Sequence, residues 1–124
     1  MKDAASKTSR LAGEQTDVED VDELERWLRC VSCGARVTRE ALRTSVNGKH
    51  RHEFMNPSGL RFVVACYSAA PGAVGDGERS TVWTWFPGFA WEIEVCRSCH
   101  AHLGWSFHAA DKASFYGLVH DRVV

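Results

Sequence analysis

Three features of the sequence predict an all-β domain. From Cys30 onward, short runs of β-branched and aromatic residues recur without a long helical period. Turn signals separate them: Asn47-Gly48, Asn56-Pro57-Ser58-Gly59, Pro71-Gly72, Gly75-Asp76-Gly77 and Pro87-Gly88. Two Cys-x-x-Cys motifs, Cys30/Cys33 and Cys96/Cys99, bracket most of this stretch and offer a means of pinning it. Short strands joined by tight turns build small antiparallel sheets.

Residues 1–20 are polar and contain no aromatic side chain, so they are expected to form a disordered tail ahead of one domain spanning 21–124. Asp20 and Glu23 have the spacing of a capping box for a short helix through Val21, Leu24 and Leu28. Strands are then expected at 36–39, 60–66, 80–85, 91–95, 103–107 and 115–120. The segment 40–45 reads equally as a helical turn or a strand. Cys66 ends the apolar run Phe62-Val63-Val64-Ala65, where a free cysteine packs as a small hydrophobe.

Charge narrows the function classes. Fifteen Lys and Arg against 16 Asp and Glu leave a net charge of −1, without the basic excess of a nucleic-acid or anionic-membrane binder. No apolar stretch approaches the ~20 residues of a membrane span, and the N-terminus lacks a signal-peptide core. A soluble cytoplasmic protein is expected. In a reducing compartment its five cysteines are better ligands than disulfides.

Two residues between cysteines let one tight turn aim both thiolates at a single ion. Two such knuckles complete a tetrahedral shell of four thiolates, so Cys30, Cys33, Cys96 and Cys99 are expected to hold one structural Zn2+. Four thiolates leave no open position for catalysis. Sixty-two residues separate Cys33 from Cys96, and closing so long a loop removes much entropy from the unfolded chain.

Four of the five tryptophans fall between Trp83 and Trp105. Trp83 and Trp85 are expected on one face of a strand, and Trp105 with Phe107 on one face of another. Filling a core is the ordinary role of such rings. A rigid pocket is the other, since bulky indoles beside a Pro-Gly turn pack a close interior poorly. Such a pocket suits a quaternary ammonium or a neutral ring, and the residues alone do not choose.

These residues resemble the thalidomide-binding (CULT) domain family of cereblon, a module also found as a stand-alone bacterial protein. The resemblance covers about Leu28 to His120. It rests on Cys30-x-x-Cys33, Asn56-Pro57-x-Gly59, Trp85-Phe86-Pro87-Gly88-Phe89-Ala90-Trp91, Cys96-x-x-Cys99 and His102-Leu103-Gly104-Trp105-x-Phe107. It implies a β-tent, two small antiparallel sheets pinned by zinc, with a cage for a glutarimide or related cyclic imide. By the same resemblance, Trp85, Trp91 and Trp105 are the walls and Phe107 the base, with Asn56 and Pro57 in a flap over the opening. The resemblance further implies that the Trp83 carbonyl and Trp85 amide clamp the imide. Ligands implied are thalidomide-type drugs, cyclic imides at protein C-termini and uracil-like rings. At 124 residues there is no room for the regions that join cereblon to a ubiquitin ligase, so no ligase adaptor is expected.

Two rivals belong to other classes. Cys96 to Gly104 also resembles methionine sulfoxide reductases of the B type, but no nucleophilic cysteine follows Cys99, and only Cys66 remains. A methyl-lysine reader would use the same tryptophans. His52-Glu53-Phe54-Met55-Asn56 starts like a zinc-protease helix but lacks the second histidine, and Val95 stands where a zinc deaminase has proline. The six histidines, at 50, 52, 100, 102, 108 and 120, read as scattered surface or satisfied residues.

Overall fold

The computed structural model describes residues 23–124. It is all-β, with two antiparallel sheets as expected, one of two strands and one of six. The smaller pairs β1 (Trp27–Arg29) with β2 (Arg36–Arg39). The larger contains β3 (Arg51–Met55), β4 (Arg61–Tyr67), β5 (Ala73–Gly75), β6 (Ala90–Cys96), β7 (His102–His108) and β8 (Phe115–Val119). Their order across that sheet is β3-β4-β8-β7-β6-β5.

Four expected strands, β2, β4, β6 and β7, are observed within a residue or two, and β8 stops at Val119. Glu40–Leu42 is a 3-10 turn. The Asn47-Gly48 signal gives a two-residue reversal in which both residues take positive φ, 52° and 84°, and Val46 bridges Lys49. Three strands, β1, β3 and β5, lie outside those expected. Leu28 therefore lies in a strand, not on a helix; residues 23–25 are helical, whereas Asp20, Val21 and the tail expected at 1–20 fall outside the described residues.

The strand expected at 80–85 does not form. Ser80 makes a single bridge to Trp91, and the chain then leaves the sheet. Local side chain-to-backbone bonds replace the ladder here. The Ser80 hydroxyl accepts from the Val82 amide at 3.0 Å. The Thr84 hydroxyl donates to the Phe89 carbonyl at 2.8 Å and is approached by the Phe86 amide at 3.4 Å. Trp83 takes φ 59°, so Trp83 and Trp85 do not share a strand face.

The large sheet has two differently used faces. Register and alternation place Phe54, Phe62, Val64, Cys66, Phe115, Phe107, Trp105 and Trp91 on one. A core of Cys66, Phe86, Phe107 and Phe115 forms there, with the tryptophans packed against it. The other face brings Ala65, Tyr67 and Leu118 against Leu28 and Val37 of the small sheet. Gly104 and Gly117 allow the close approach of β7 and β8. A Cβ on Gly104 would overlap the Gly117 carbonyl, and one on Gly117 would press on the Phe107 ring.

Candidate functional site

The two Cys-x-x-Cys turns meet. The Sγ atoms of Cys30, Cys33, Cys96 and Cys99 all lie within 4.8 Å of one another. Cys30 to Cys99 is 3.7 Å and Cys33 to Cys96 is 3.6 Å. Neither is a disulfide. A tetrahedron of thiolates at the usual zinc–sulfur length of ~2.3 Å has edges of about 3.8 Å, so the donor set fits a metal ion. The Cys96 thiol, although burial works against it, is drawn down to about 7 by the Cys99 and Ser98 amides and the Cys33 and Cys99 thiols. A thiol so placed is ready to bind as thiolate.

The knuckles share one backbone design. Each second cysteine is followed by a left-handed residue, Gly34 at φ 80° and His100 at φ 67°. The amide of each returns to the carbonyl of the first cysteine at 2.8 Å. Histidine carries strain in that region that glycine does not. His100→Gly should therefore raise the melting temperature of the metal-loaded protein, by about 0.5–1 kcal/mol of stability. A lowered melting temperature would show that the His100 side chain contributes more than its strain costs.

The three tryptophans expected to form walls are half-buried, and Phe107 is buried beneath. Trp85 and Trp105 meet edge to face at 4.7 Å and 73°. Trp91 pairs with Phe107 across β6 and β7, so it stands diagonally from Trp105. Diagonal neighbours on antiparallel strands are roughly 7–8 Å apart. The Trp91 indole donates to the Val82 carbonyl at 2.8 Å, which fixes its plane.

The two main-chain groups expected to clamp a ligand lie in the loop that replaces the expected strand. Trp83 is a bulky residue in the left-handed region, outside any strand. Among the described residues, neither the Trp83 carbonyl nor the Trp85 amide makes a hydrogen bond within the protein. The Trp83 side chain is 61% exposed.

Asn56 and Pro57 lie in the β3–β4 turn. Asn56 exchanges backbone hydrogen bonds with Leu60 and Gly59, and its side-chain oxygen accepts the Leu60 amide at 2.9 Å. Its side chain shapes the turn. The Met55 carbonyl next to it accepts both the Trp83 and Trp85 indole N–H groups, at 3.3 and 3.2 Å, and so ties the hairpin to the tryptophan loop.

Several supporting residues escape the sequence reading. Phe54 stacks on Trp85 at 4.8 Å, and its cross-strand partner Phe62 meets Trp105 at 5.2 Å. Alternation on either side of Asn56-Pro57-Ser58-Gly59 is the signal for that pair. His102 packs edge-on to Trp105 at 4.8 Å. Arg122 donates to His102 Nδ1 at 3.1 Å and to its carbonyl at 3.2 Å. Because guanidinium is donor-only, Nδ1 accepts and Nε2–H donates to the Gly104 carbonyl at 2.9 Å. Burial, and then the Arg122 charge, lower the His102 pKa against the opposing effect of the Gly104 bond.

The carboxylates nearest the tryptophans in sequence alternate to the opposite sheet face. Glu92 pairs with Arg79 at 3.4 Å, and buried Glu94 accepts the Ser106 hydroxyl at 2.7 Å. Cys66 is fully buried, and burial pushes its thiol up to about 11. It is a protonated packing residue rather than a nucleophile.

Comparison with known proteins finds similarity to cereblons. Cereblon of Danio rerio is 35% identical over 75 residues, covering 57% of this chain and 17% of that protein. Cereblon of Drosophila melanogaster is 39% identical over 77 residues, covering 57% and 13%, and that of Drosophila pseudoobscura pseudoobscura 36% over 77, covering 57% and 12%. The chain carries a cereblon-like domain. It spans less than a fifth of the length of these cereblons. No protein-family profile matches it. The cereblon-like domain has the β-tent arrangement, and among its described residues no helix is long and apolar enough to cross a membrane.

Proposed function

We propose that this chain is a binding module for cyclic imides, a glutarimide or a related ring such as one formed at a protein C-terminus. The ring would sit between Trp85, Trp91 and Trp105 above Phe107, with Asn56 and Pro57 in the flap and the four cysteines holding one structural Zn2+. The observation that carries this reading is that the Trp83 carbonyl and the Trp85 amide, in a loop beside half-buried indoles, make no hydrogen bond among the described residues. An imide edge presents acceptor, donor and acceptor in a row. One main-chain acceptor and one donor match its N–H and a carbonyl, while its methylenes stack on indole.

A binding module is favoured over a reductase because Cys66 is buried and protonated. A neutral ring is favoured over a quaternary ammonium because Glu92 and Glu94 are engaged on the opposite face. Titrating intrinsic tryptophan fluorescence with glutarimide, uracil and a peptide ending in a cyclic imide tests the proposal. Saturable quenching by the imides, uncompeted by a trimethyl-lysine peptide, is expected. Competition by that peptide would favour the methyl-lysine reader.

Binding should also weaken in acid. Neutral His102 accepts from Arg122 and backs Trp105; its folded pKa lies below the ordinary 6.5. Its contribution is present above about 6.5 and is lost as pH falls through that value toward the depressed folded one. Imide affinity follows the folded group alone, so it should fall only as pH passes through that depressed folded pKa, below 6.5, and His102→Gln should flatten the profile. Burial also lowers His108, so His108→Gln is the necessary companion variant. If it alone flattens the profile, the assignment to His102 is wrong.

A further inference from the structure

The tryptophan loop has a second surface. Phe86, Pro87 and Phe89 line a groove of about 380 Å³ that none of the three cage tryptophans borders. Opposite them stand the turn through Thr44 to Asn47 and the β7–β8 turn at Lys112 to Phe115. The volume falls within the ~300–1,000 Å³ of small-molecule pockets.

Both apolar and polar groups line it. Buried Phe86 and Phe115 meet edge to face at 4.9 Å and form a rigid floor with Phe89. Lys112 Nζ lies 5.4 Å from the centre of the Phe89 ring and forms no ion pair among the described residues. The side chains of Thr44, Ser45 and Asn47 add hydrogen-bonding groups that no described residue occupies. No carboxylate lines the groove. One ammonium, free hydroxyls and aromatic rings lining the same groove match a single anionic head on an apolar body.

We propose that this groove is a second binding site, for a small amphipathic carboxylate. Its apolar body would rest on Phe86 and Phe89, while Lys112 and the Thr44–Asn47 turn would receive the carboxylate. A phosphate or a free dicarboxylate would leave the aromatic floor unused, and a neutral arene would leave Lys112 unmatched.

Site-resolved amide NMR of the metal-loaded chain with 3-phenylpropionate, and with its neutral amide as control, tests this. Saturable shifts are expected at Val46, Asn47 and Ala113 to Phe115. The neutral amide and Lys112→Met should each weaken binding roughly tenfold, the scale of one charge-assisted hydrogen bond. Lys112→Arg should restore most of it. Unsaturable shifts, unchanged affinity in Lys112→Met, or shifts confined to the indoles of Trp85, Trp91 and Trp105 would each overturn the proposal. Because these readouts are separate, failure of imide binding in the cage leaves this site independently testable.

Discussion

Removing the metal should unfold this domain rather than loosen it. Cys30 and Cys33 precede the second strand of the small sheet, while Cys96 ends β6 and Cys99 precedes β7. The four thiols span the junction of the two sheets, and Cys30 and Cys96 are themselves part of the buried cluster there, with Leu28, Val37, Tyr67, Leu103 and Leu118. Structural zinc contributes about 10–16 kcal/mol in small domains, comparable to or larger than a whole domain's stability of roughly 5–15 kcal/mol. Chelation, or Cys96→Ser, should therefore abolish the cooperative thermal transition, with Zn2+ restoring it in the chelated wild type. Circular dichroism with parallel metal analysis checks this. A metal-free sample that melts as before would show that the four thiols meet without a structural ion.

The largest effect on binding should come from methylating the imide nitrogen. That change keeps the ring's shape and apolar surface but deletes its donor. It also puts a methyl group against an acceptor that has no other partner among the described residues. A buried acceptor left unpaired costs about 1–3 kcal/mol, and the added steric conflict should carry the loss beyond detection by calorimetry. Trp85→Ala should be equally severe. It removes a wall stacked on Phe54 and set against Trp105, and the indole that helps hold the loop to the Met55 carbonyl. Thermal unfolding of that variant should remain cooperative, because Phe86, Phe107 and Phe115 beneath are untouched. Full affinity for the N-methyl imide would remove the main-chain clamp from the reading.

Much of this is legible in the chain. The Cys-x-x-Cys pairs declare their convergence because two such turns in one short chain can aim four thiolates at a single ion. Asn47-Gly48 specifies its turn through the left-handed conformation it favours. Strands β4, β6, β7 and β8 are marked by runs of apolar and aromatic residues, several with alternation. Strand β3 is hidden because His52-Glu53-Phe54-Met55 reads as the start of a catalytic helix motif, although its alternation carries Phe54 into the site. The short strands β1 and β5 are three residues each, too brief for a period to declare itself.

The segment from Ser80 to Trp85 departs from its composition for a physical reason. Thr81, Val82, Trp83, Thr84 and Trp85 are residues typical of a strand, and propensity reports only how residues suit a pleated surface. Whether that surface has a place for them is a tertiary matter. Beyond Ser80 the edge of β6 is not paired with this segment. Thr84 closes the loop on Phe89 instead, and the Met55 carbonyl captures two indoles.

The sequence by itself determined an all-β chain, a four-cysteine centre and a set of tryptophans out of proportion to its size. These follow from residue type, spacing and local periodicity. Only the tertiary structure decided that Trp83 leaves the sheet in a left-handed turn, that Phe54, Phe62 and His102 brace the indoles, and that Glu92 and Glu94 alternate away from them. Each of those depends on cross-strand register and on which backbone groups remain unpaired once the sheets have closed. Neither quantity exists until distant segments meet.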